Sequence, residues 1–199
     1  DLGDETYLGL GMGLGYAGLQ IAVTPKHVNR MVLLTDGFAH DVAHCWQWME
    51  QCRAKNIAIS TMGVGDEFNE ELLIPMAEKT GGHAYFIHKP DDIAAIFQQE
   101  LRAAQSVSFR NSELKLNLTP GVELRKVYRV KPSIGLMDSG PNEGGSYTIF
   151  LGDVEQNAPP SLLLELITPA RGNGRFRIAQ LLLSSDPIDD NRQTVRQDV

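Results

Sequence analysis

The residues whose types and spacing could do chemistry gather in the first half of the chain. Asp36 is the sharpest case. It follows four consecutive apolar residues, Met31 to Leu34, and Thr35, and it precedes Gly37. A short unbroken apolar run predicts a strand buried on both faces, as in parallel sheets. In open α/β folds ligands bind just beyond the carboxyl ends of the strands. A carboxylate there can take a cation or the hydroxyl of a bound nucleotide.

Two chemistries compete for Asp36. Gly13-Leu-Gly-Tyr-Ala-Gly18 matches G-x-G-x-x-G, and Asp36 follows Gly18 by 18 residues. That is the spacing of a dinucleotide fingerprint, with the carboxylate on a ribose. The fingerprint requires a buried strand directly before Gly13, whereas Tyr7 to Met12 offers alternating glycines. The other reading makes residues 7–23 a helix through Leu8, Met12, Leu19 and Ala22. Its glycines then form a face laid against a sheet or a neighbouring helix. Each costs about 1 kcal/mol against Ala in a helix interior, so such a helix depends on tertiary packing.

Other candidates carry less. His40 and His44 are four apart and could pinch a metal, but no third ligand lies near them in sequence, so a solvated helix face is expected. Cys45 and Cys52 are seven apart on a predicted helix, about 10.5 Å along its axis. That exceeds disulfide reach and predicts two buried thiols. Ser60-Thr61 falls on a predicted buried strand, His83 and His88 flank a strand, and no G-x-S-x-G occurs. No nucleophile–base pair is apparent.

The elements that must position these residues are legible. Thr24-Pro25 ends the first helix. A helix over about 41–55 comes after the Asp36 strand, with Val42, Cys45, Trp46, Met49 and Cys52 on one stripe and Asp41 favouring its start. Ile57 to Val64 predicts a second buried strand. Asn69 caps a third helix, which contains Pro75 and stops at Gly81-Gly82. Ala84 to Ile87 predicts a short strand. Pro90 predicts the first position of a fourth helix with Ile93, Ile96, Phe97 and Leu101 as its apolar face. Strands alternating with helices give a parallel sheet with helices on both faces.

From Ser106 the period becomes two. Leu114, Leu116 and Leu118 alternate with polar residues, and Pro120-Gly121 turns into a second strand that carries a bulge. A loop over 131–145 surrounds a short Ile134–Met137 piece. Further strands fall around Tyr147–Leu151, at 161–167 and at 175–184, and residues 186–199 read as a polar loop. Short alternating strands with Pro/Gly turns predict an antiparallel sandwich. Two domains are expected, 1–105 and 106–199. Charge divides the same way: the first carries 7 Lys+Arg against 14 Asp+Glu, net −7, and the second 11 of each. No basic stripe argues for nucleic acid, and no run of about 18 apolar residues spans a membrane.

Taken together, residues 3–105 resemble the carboxyl-terminal half of a von Willebrand factor type A domain. Thr6-Tyr-Leu-Gly-Leu-Gly-Met matches its T-x-L-x-x-G-L/M helix start, and Leu33-Leu-Thr-Asp-Gly37 its strand-end carboxylate. Ile57 to Gly65, Asn69 to Phe86 and Pro90 to Phe97 continue in register. Residues 106–199 are similar to the β-sandwich of bacterial type A proteins of the calcium-activated-channel-like group. The resemblance implies a Rossmann-like α/β binding module. In such modules hydroxyl and carboxylate oxygens hold Mg²⁺ or Ca²⁺, and a partner protein's carboxylate completes the shell. It implies Thr6 and Asp36 as two of the ligands. The family's D-x-S-x-S strand, expected upstream of Thr6, and two further strands are not in this sequence. Asp4 and Glu5 stand where the family often has glycines. Weak cation binding, or none, is therefore expected of this chain by itself. The missing strands would leave Met31–Thr35 as an edge, a surface for a homodimer.

Three functions are open: a non-enzymatic protein-binding or assembly module, metal-assisted when the domain is whole; an NAD-dependent oxidoreductase using Gly13, Gly15, Gly18 and Asp36; or a purely structural unit. A helix beginning near Thr6 favours the module, and a strand ending at Gly13 favours the oxidoreductase.

Overall fold

The computed structural model describes residues 6–21, 27–65, 68–132, 134–137, 139–140 and 145–188. The chain divides into two compact units, Asp1–Ser106 and Val107–Val199. No helix among the described residues is long and apolar enough to cross a membrane.

The first unit runs α1 (Leu8–Gln20), β1 (Arg30–Thr35), α2 (Val42–Ala54), β2 (Ala58–Val64), α3 (Glu70–Thr80), β3 (Ala84–Ile87) and α4 (Ile93–Gln105). The strands form a parallel sheet in the order β1-β2-β3. The helices begin and end where local chemistry directs. The Asn69 side chain accepts a hydrogen bond from the Leu72 N–H at 3.1 Å and starts α3. Gly81 closes that helix in the left-handed region at φ 78°, which glycine enters without a Cβ clash. Pro90 does not open the fourth helix as the sequence predicts. Pro90–Asp92 form a 3₁₀ turn, and α4 begins at Ile93.

Helices α1, α2 and α3 share the main core with one face of the sheet. Leu8 and Met12 of α1, Met31 and Leu33 of β1, and Cys45, Met49 and Cys52 of α2 are all buried there. Ile57, Ile59 and the α3 residues Leu72, Leu73 and Met76 complete it. Residues of the central strand β2 are buried on both faces from Ala58 to Gly63. On β1, the expectation of burial on both faces is corrected. Met31, Leu33 and Thr35 are buried, but Val32 is only partly covered and Leu34 is 45% exposed. The physical reason is position. β1 has one strand neighbour among the described residues, so its second face lies at the margin of the sheet. The apolar stripe expected of α4 is likewise half open, with Phe97 43% and Leu101 60% exposed.

Among the described residues, the second unit holds two three-stranded antiparallel sheets. One has the order β7-β4-β9, from β7 (Ser146–Glu155), β4 (Val107–Leu118) and β9 (Ala179–Pro187). The other has the order β6-β5-β8, from β6 (Gly135–Leu136), β5 (Glu123–Lys131) and β8 (Ser161–Ile167). The expected bulge in β5 lies between Leu124 and Lys126. β4 starts earlier than its leucine alternation indicates and is irregular between Val107 and Glu113. The last strand begins at Ala179 instead of residue 175. Before it, the Arg171 guanidinium lies over the Phe176 ring at 5.3 Å. Within this unit Leu116, Val127 and Ile149 are fully buried. Most of the polar segment expected over 186–199 lies outside the described residues.

Candidate cation-binding site at the end of the parallel sheet

β1 carries Asp36 and Gly37 out of the sheet at its carboxyl end. The turn is pinned by Thr35, whose hydroxyl donates to the Gly37 carbonyl at 3.1 Å and accepts from the Gly37 N–H at 3.3 Å. Thr6 reaches the same turn from the start of α1. Its backbone pairs in parallel with Ala39, and the His40 N–H donates to the Thr6 carbonyl at 2.9 Å. A methyl group placed on Gly37 would lie 3.3 Å from Thr6 Oγ1. The threonine hydroxyl therefore sits against the glycine that follows Asp36. Asp36 is exposed, and its carboxylate makes no hydrogen bond or ion pair with any described residue.

The first turn of α1 is capped from a distance. Tyr7, at the N-cap, supplies no side-chain hydrogen bond to the helix start. The Asp41 carboxylate accepts instead, Oδ1 from the Gly9 N–H and Oδ2 from the Leu10 N–H, both at 3.0 Å. The backbone carbonyl of Asp41 meanwhile accepts from the His44 and Cys45 N–H groups at 2.9 and 3.1 Å. The main chain of Asp41 thus opens α2, as its place in the sequence predicts, while its side chain serves α1. Gly9 leaves room for this arrangement. A Cβ there would stand 2.8 Å from Asp41 Oδ2 and 2.8 Å from His44 Cβ.

The dinucleotide reading is corrected by α1. The helix begins at Leu8, so Gly13, Gly15 and Gly18 lie along its length and not at a strand-to-helix turn. A bound pyrophosphate needs free N–H groups at a helix start, and those of a helix interior are committed to the helix. The glycines serve contacts. A Cβ on Gly13 would sit 2.9 Å from the Trp48 ring, and one on Gly15 3.4 Å from Met31 Cε, whereas Gly11 and Gly18 face open space.

His40 and His44 are both exposed, and His40 lies beside the Tyr7 ring at 6.2 Å. Cys45 and Cys52 are free and fully buried, and burial pushes each thiol up to about 11. Cys45 is pushed further by the Asp41 charge. Among the described residues no group of three or more His, Cys, Asp or Glu forms a metal-holding cluster. Thr6 and Asp36 offer one hydroxyl and one carboxylate oxygen. That donor type suits a hard cation such as Mg²⁺ or Ca²⁺, though it supplies only part of the six or more oxygens such ions take.

A second polar cluster went unread in the sequence. Glu100 of α4 is 2% exposed and accepts from four directions. Arg30 Nη1 lies 2.6 Å and Ser60 Oγ 2.5 Å from Oε1, while His83 Nδ1 lies 3.2 Å and Tyr85 Oη 2.7 Å from Oε2. Burial raises the Glu100 carboxyl. The hydrogen bonds from His83 and Ser60, the Arg30 charge and the Tyr85 hydroxyl outweigh it, holding the group at about 2. Arg30 opens β1 and His83 precedes β3, so the cluster sits toward the amino-terminal ends of the strands, away from Asp36. Ser60 is fully buried, and its hydroxyl donates to the Glu100 carboxylate. The signal was present: Glu100 falls seven residues after Ile93 and three after Phe97, inside the apolar stripe.

Comparison with known proteins agrees with this geometry. Residues 2–99 match the von Willebrand factor type A domain. An uncharacterized protein of Synechocystis sp. is 28% identical over 177 residues, covering 85% of this chain and 42% of its own length. The structure of a von Willebrand factor type A protein from Catenulispora acidiphila superposes with a TM-score of 0.80 at 15% identity, over 98% of this chain and 46% of that one. Human COPII-coat protein Sec24c shares the fold more distantly, with a TM-score of 0.55 at 12% identity over 92% of this chain and 27% of its own. The chain spans less than half the length of each of these relatives. A strand-end Asp-Gly, a helix opening beside it from Thr6, and the family match lead to one assignment: residues 2–99 belong to the von Willebrand factor type A family.

Proposed function

We propose that the chain is the carboxyl-terminal half of a type A module followed by a β-sandwich, and that it binds protein partners without catalysing a reaction. Thr6 and Asp36 contribute two oxygen ligands to a Mg²⁺ or Ca²⁺ ion, and groups outside the described residues supply the rest. A bound cation would give a partner's carboxylate a positive charge to pair with. Residues 1–105 carry a net charge of −7, so an acidic partner would otherwise meet repulsion.

The observation that carries the reading is the closeness of the Thr6 hydroxyl to Gly37, where an added Cβ would lie 3.3 Å from it, next to an exposed Asp36 without a partner among the described residues. An exposed carboxylate at a strand end, with no hydrogen bond or ion pair to a described residue, is open to a ligand. The edge of β1 has no strand neighbour among the described residues, which supports the half-domain reading, because unpaired backbone groups along an apolar strand invite another strand. That edge takes either the remaining strands of the module or a second copy of the chain.

Mn²⁺, a paramagnetic stand-in for Mg²⁺, tests the site. Added in small amounts, it should broaden the amide signals of Thr6 and Gly37 first, and Asp36→Ala should abolish that selectivity. Broadening spread evenly over the acidic surface, or unchanged in Asp36→Ala, overturns the reading.

A further inference from the structure

We propose that Asp41 is the positioning residue of this site: its carboxylate, bridging the start of α1 to the turn after β1, holds the Thr6 hydroxyl beside Asp36. The proposal takes its functional meaning from the cation-binding role of Thr6 and Asp36, but its geometric content stands apart from any metal.

Thr6 and Asp36 are 30 residues apart in sequence and belong to different elements, so something must fix their separation. Two hydrogen-bonded tethers join the segments that carry them, alongside the Tyr7–His40 ring contact and the core packing of Leu8 and Met12. The first is the pairing of Thr6 with Ala39, closed by the bond from the His40 N–H to the Thr6 carbonyl. A single bridge of this kind leaves the segment free to pivot. The second is Asp41, which stands two residues beyond Ala39 and grips α1 by two adjacent N–H groups at once, those of Gly9 and Leu10. Two parallel bonds to neighbouring amides fix orientation as well as distance. They lie three and four residues after Thr6, within the first turn of its helix. With both tethers in place, the helix start cannot rotate about the Thr6–Ala39 bridge.

Gly9 is the counterpart that lets Asp41 work. Any side chain there would press on Asp41 Oδ2, on His44 Cβ and on the Cys45 backbone nitrogen, at 2.8, 2.8 and 3.0 Å. All three belong to the turn or first residues of α2, so the strain could only be relieved by moving the start of α1 away from the turn. The negative charge of Asp41 is also spent on the helix start, where partial positive charge accumulates. It therefore does not compete with Asp36 for a cation, which separates the roles of two carboxylates only five residues apart.

The test uses nuclear magnetic resonance on the whole chain, first without metal. The wild type should show a cross-relaxation contact between the Thr6 side chain and the Gly37 amide. Asp41→Ala should lose it and speed amide exchange at Gly9, Leu10 and His40 at least tenfold, with exchange at Ile59 and Met62 in β2 unchanged. Asp41→Asn, which keeps one acceptor oxygen, should restore part of the contact. Gly9→Ala should lose the contact although Asp41 is intact. Gly82→Ala, which strains the fold away from this site, should keep it. If Asp41→Ala retains the Thr6–Gly37 contact, the proposal is overturned, and so it is if Gly82→Ala loses the contact as readily. Mn²⁺ is then added. Selective broadening at Thr6 and Gly37 should weaken at least tenfold in Asp41→Ala. If the wild type shows the metal-free contact but no selective broadening, the cation reading fails while the positioning role survives; equal broadening in the wild type and Asp41→Ala overturns the positioning role alone.

Discussion

Arg30 and Glu100 form an ion pair at 2.6 Å with both side chains almost wholly buried, their exposures 7% and 3%. They join the first residue of β1 to the middle of α4. Arg30, Ser60, His83 and Tyr85 all converge on one carboxylate, so four points of the sheet hold the helix through a single side chain. The rest of α4 has no fully buried residue. Its attachment to this unit depends on Glu100 more than on its apolar stripe.

Glu100→Ala should therefore be costly. It strands the Arg30 charge in a buried site, where loss of one partner typically costs about 3–5 kcal/mol. Chemical denaturation measures this directly. The pH dependence has a definite sign. Glu100 is held at about 2 against an ordinary 4.5, so its contribution is fully present above 4.5 and is lost as pH falls toward 2. The wild type should lose stability steeply across that window. Glu100→Gln, less stable at pH 7, should show a flatter profile there.

The glycines of α1 make a paired prediction. Gly11 faces open space within a helix, so Gly11→Ala should stabilise by about 0.5–1 kcal/mol. Gly13→Ala would press a Cβ onto the Trp48 ring and should destabilise by about 1–3 kcal/mol. Thermal unfolding of the two variants separates them by sign. Equal effects would mean that the close α1–α2 approach is not what Gly13 provides.

How much of the fold is legible in the sequence varies by element. The helices and strands of the first unit follow from apolar spacing and from Asn69 and Gly81, because those signals are local, whereas Pro90 marks a 3₁₀ turn ahead of α4. Met31–Leu34 misleads, since a four-residue apolar run looks the same on a strand covered on both faces and on one at a sheet margin. Glu100 is hidden for the opposite reason. A charge within an apolar stripe reads as the edge of the stripe until Arg30, 70 residues away, is known to meet it. Thr6 and Asp36 come from the family resemblance, and their neighbourhood across Gly37 needs the fold. The reach of Asp41 to Gly9 has no sequence signature, because the two are 32 residues apart and only the folded chain brings them together.

The open edge of β1 should show itself in association. On one face of β1 Leu34 is 45% exposed and Val32 partly covered, and the strand has one strand neighbour among the described residues. At high concentration the chain should self-associate, and Val32→Lys should weaken this more than Val130→Lys, placed on β5 where the native side chain is 41% exposed. Light scattering over a concentration series decides. A monomer at all concentrations would show that the edge is covered within one chain.

The most direct measurement is a calorimetric titration of the chain with Mg²⁺. Two oxygen donors from Thr6 and Asp36 are a fraction of a full shell, so the dissociation constant should be about 1 mM or weaker, equivalent to at most about 4 kcal/mol. The heat should vanish in Asp36→Ala. Micromolar binding lost in Asp36→Ala would contradict the half-site by showing a complete one, with Asp4 and Glu5 the nearest further carboxylates in sequence to Thr6. Millimolar heat unchanged by Asp36→Ala would contradict it in the other direction, by placing the cation elsewhere.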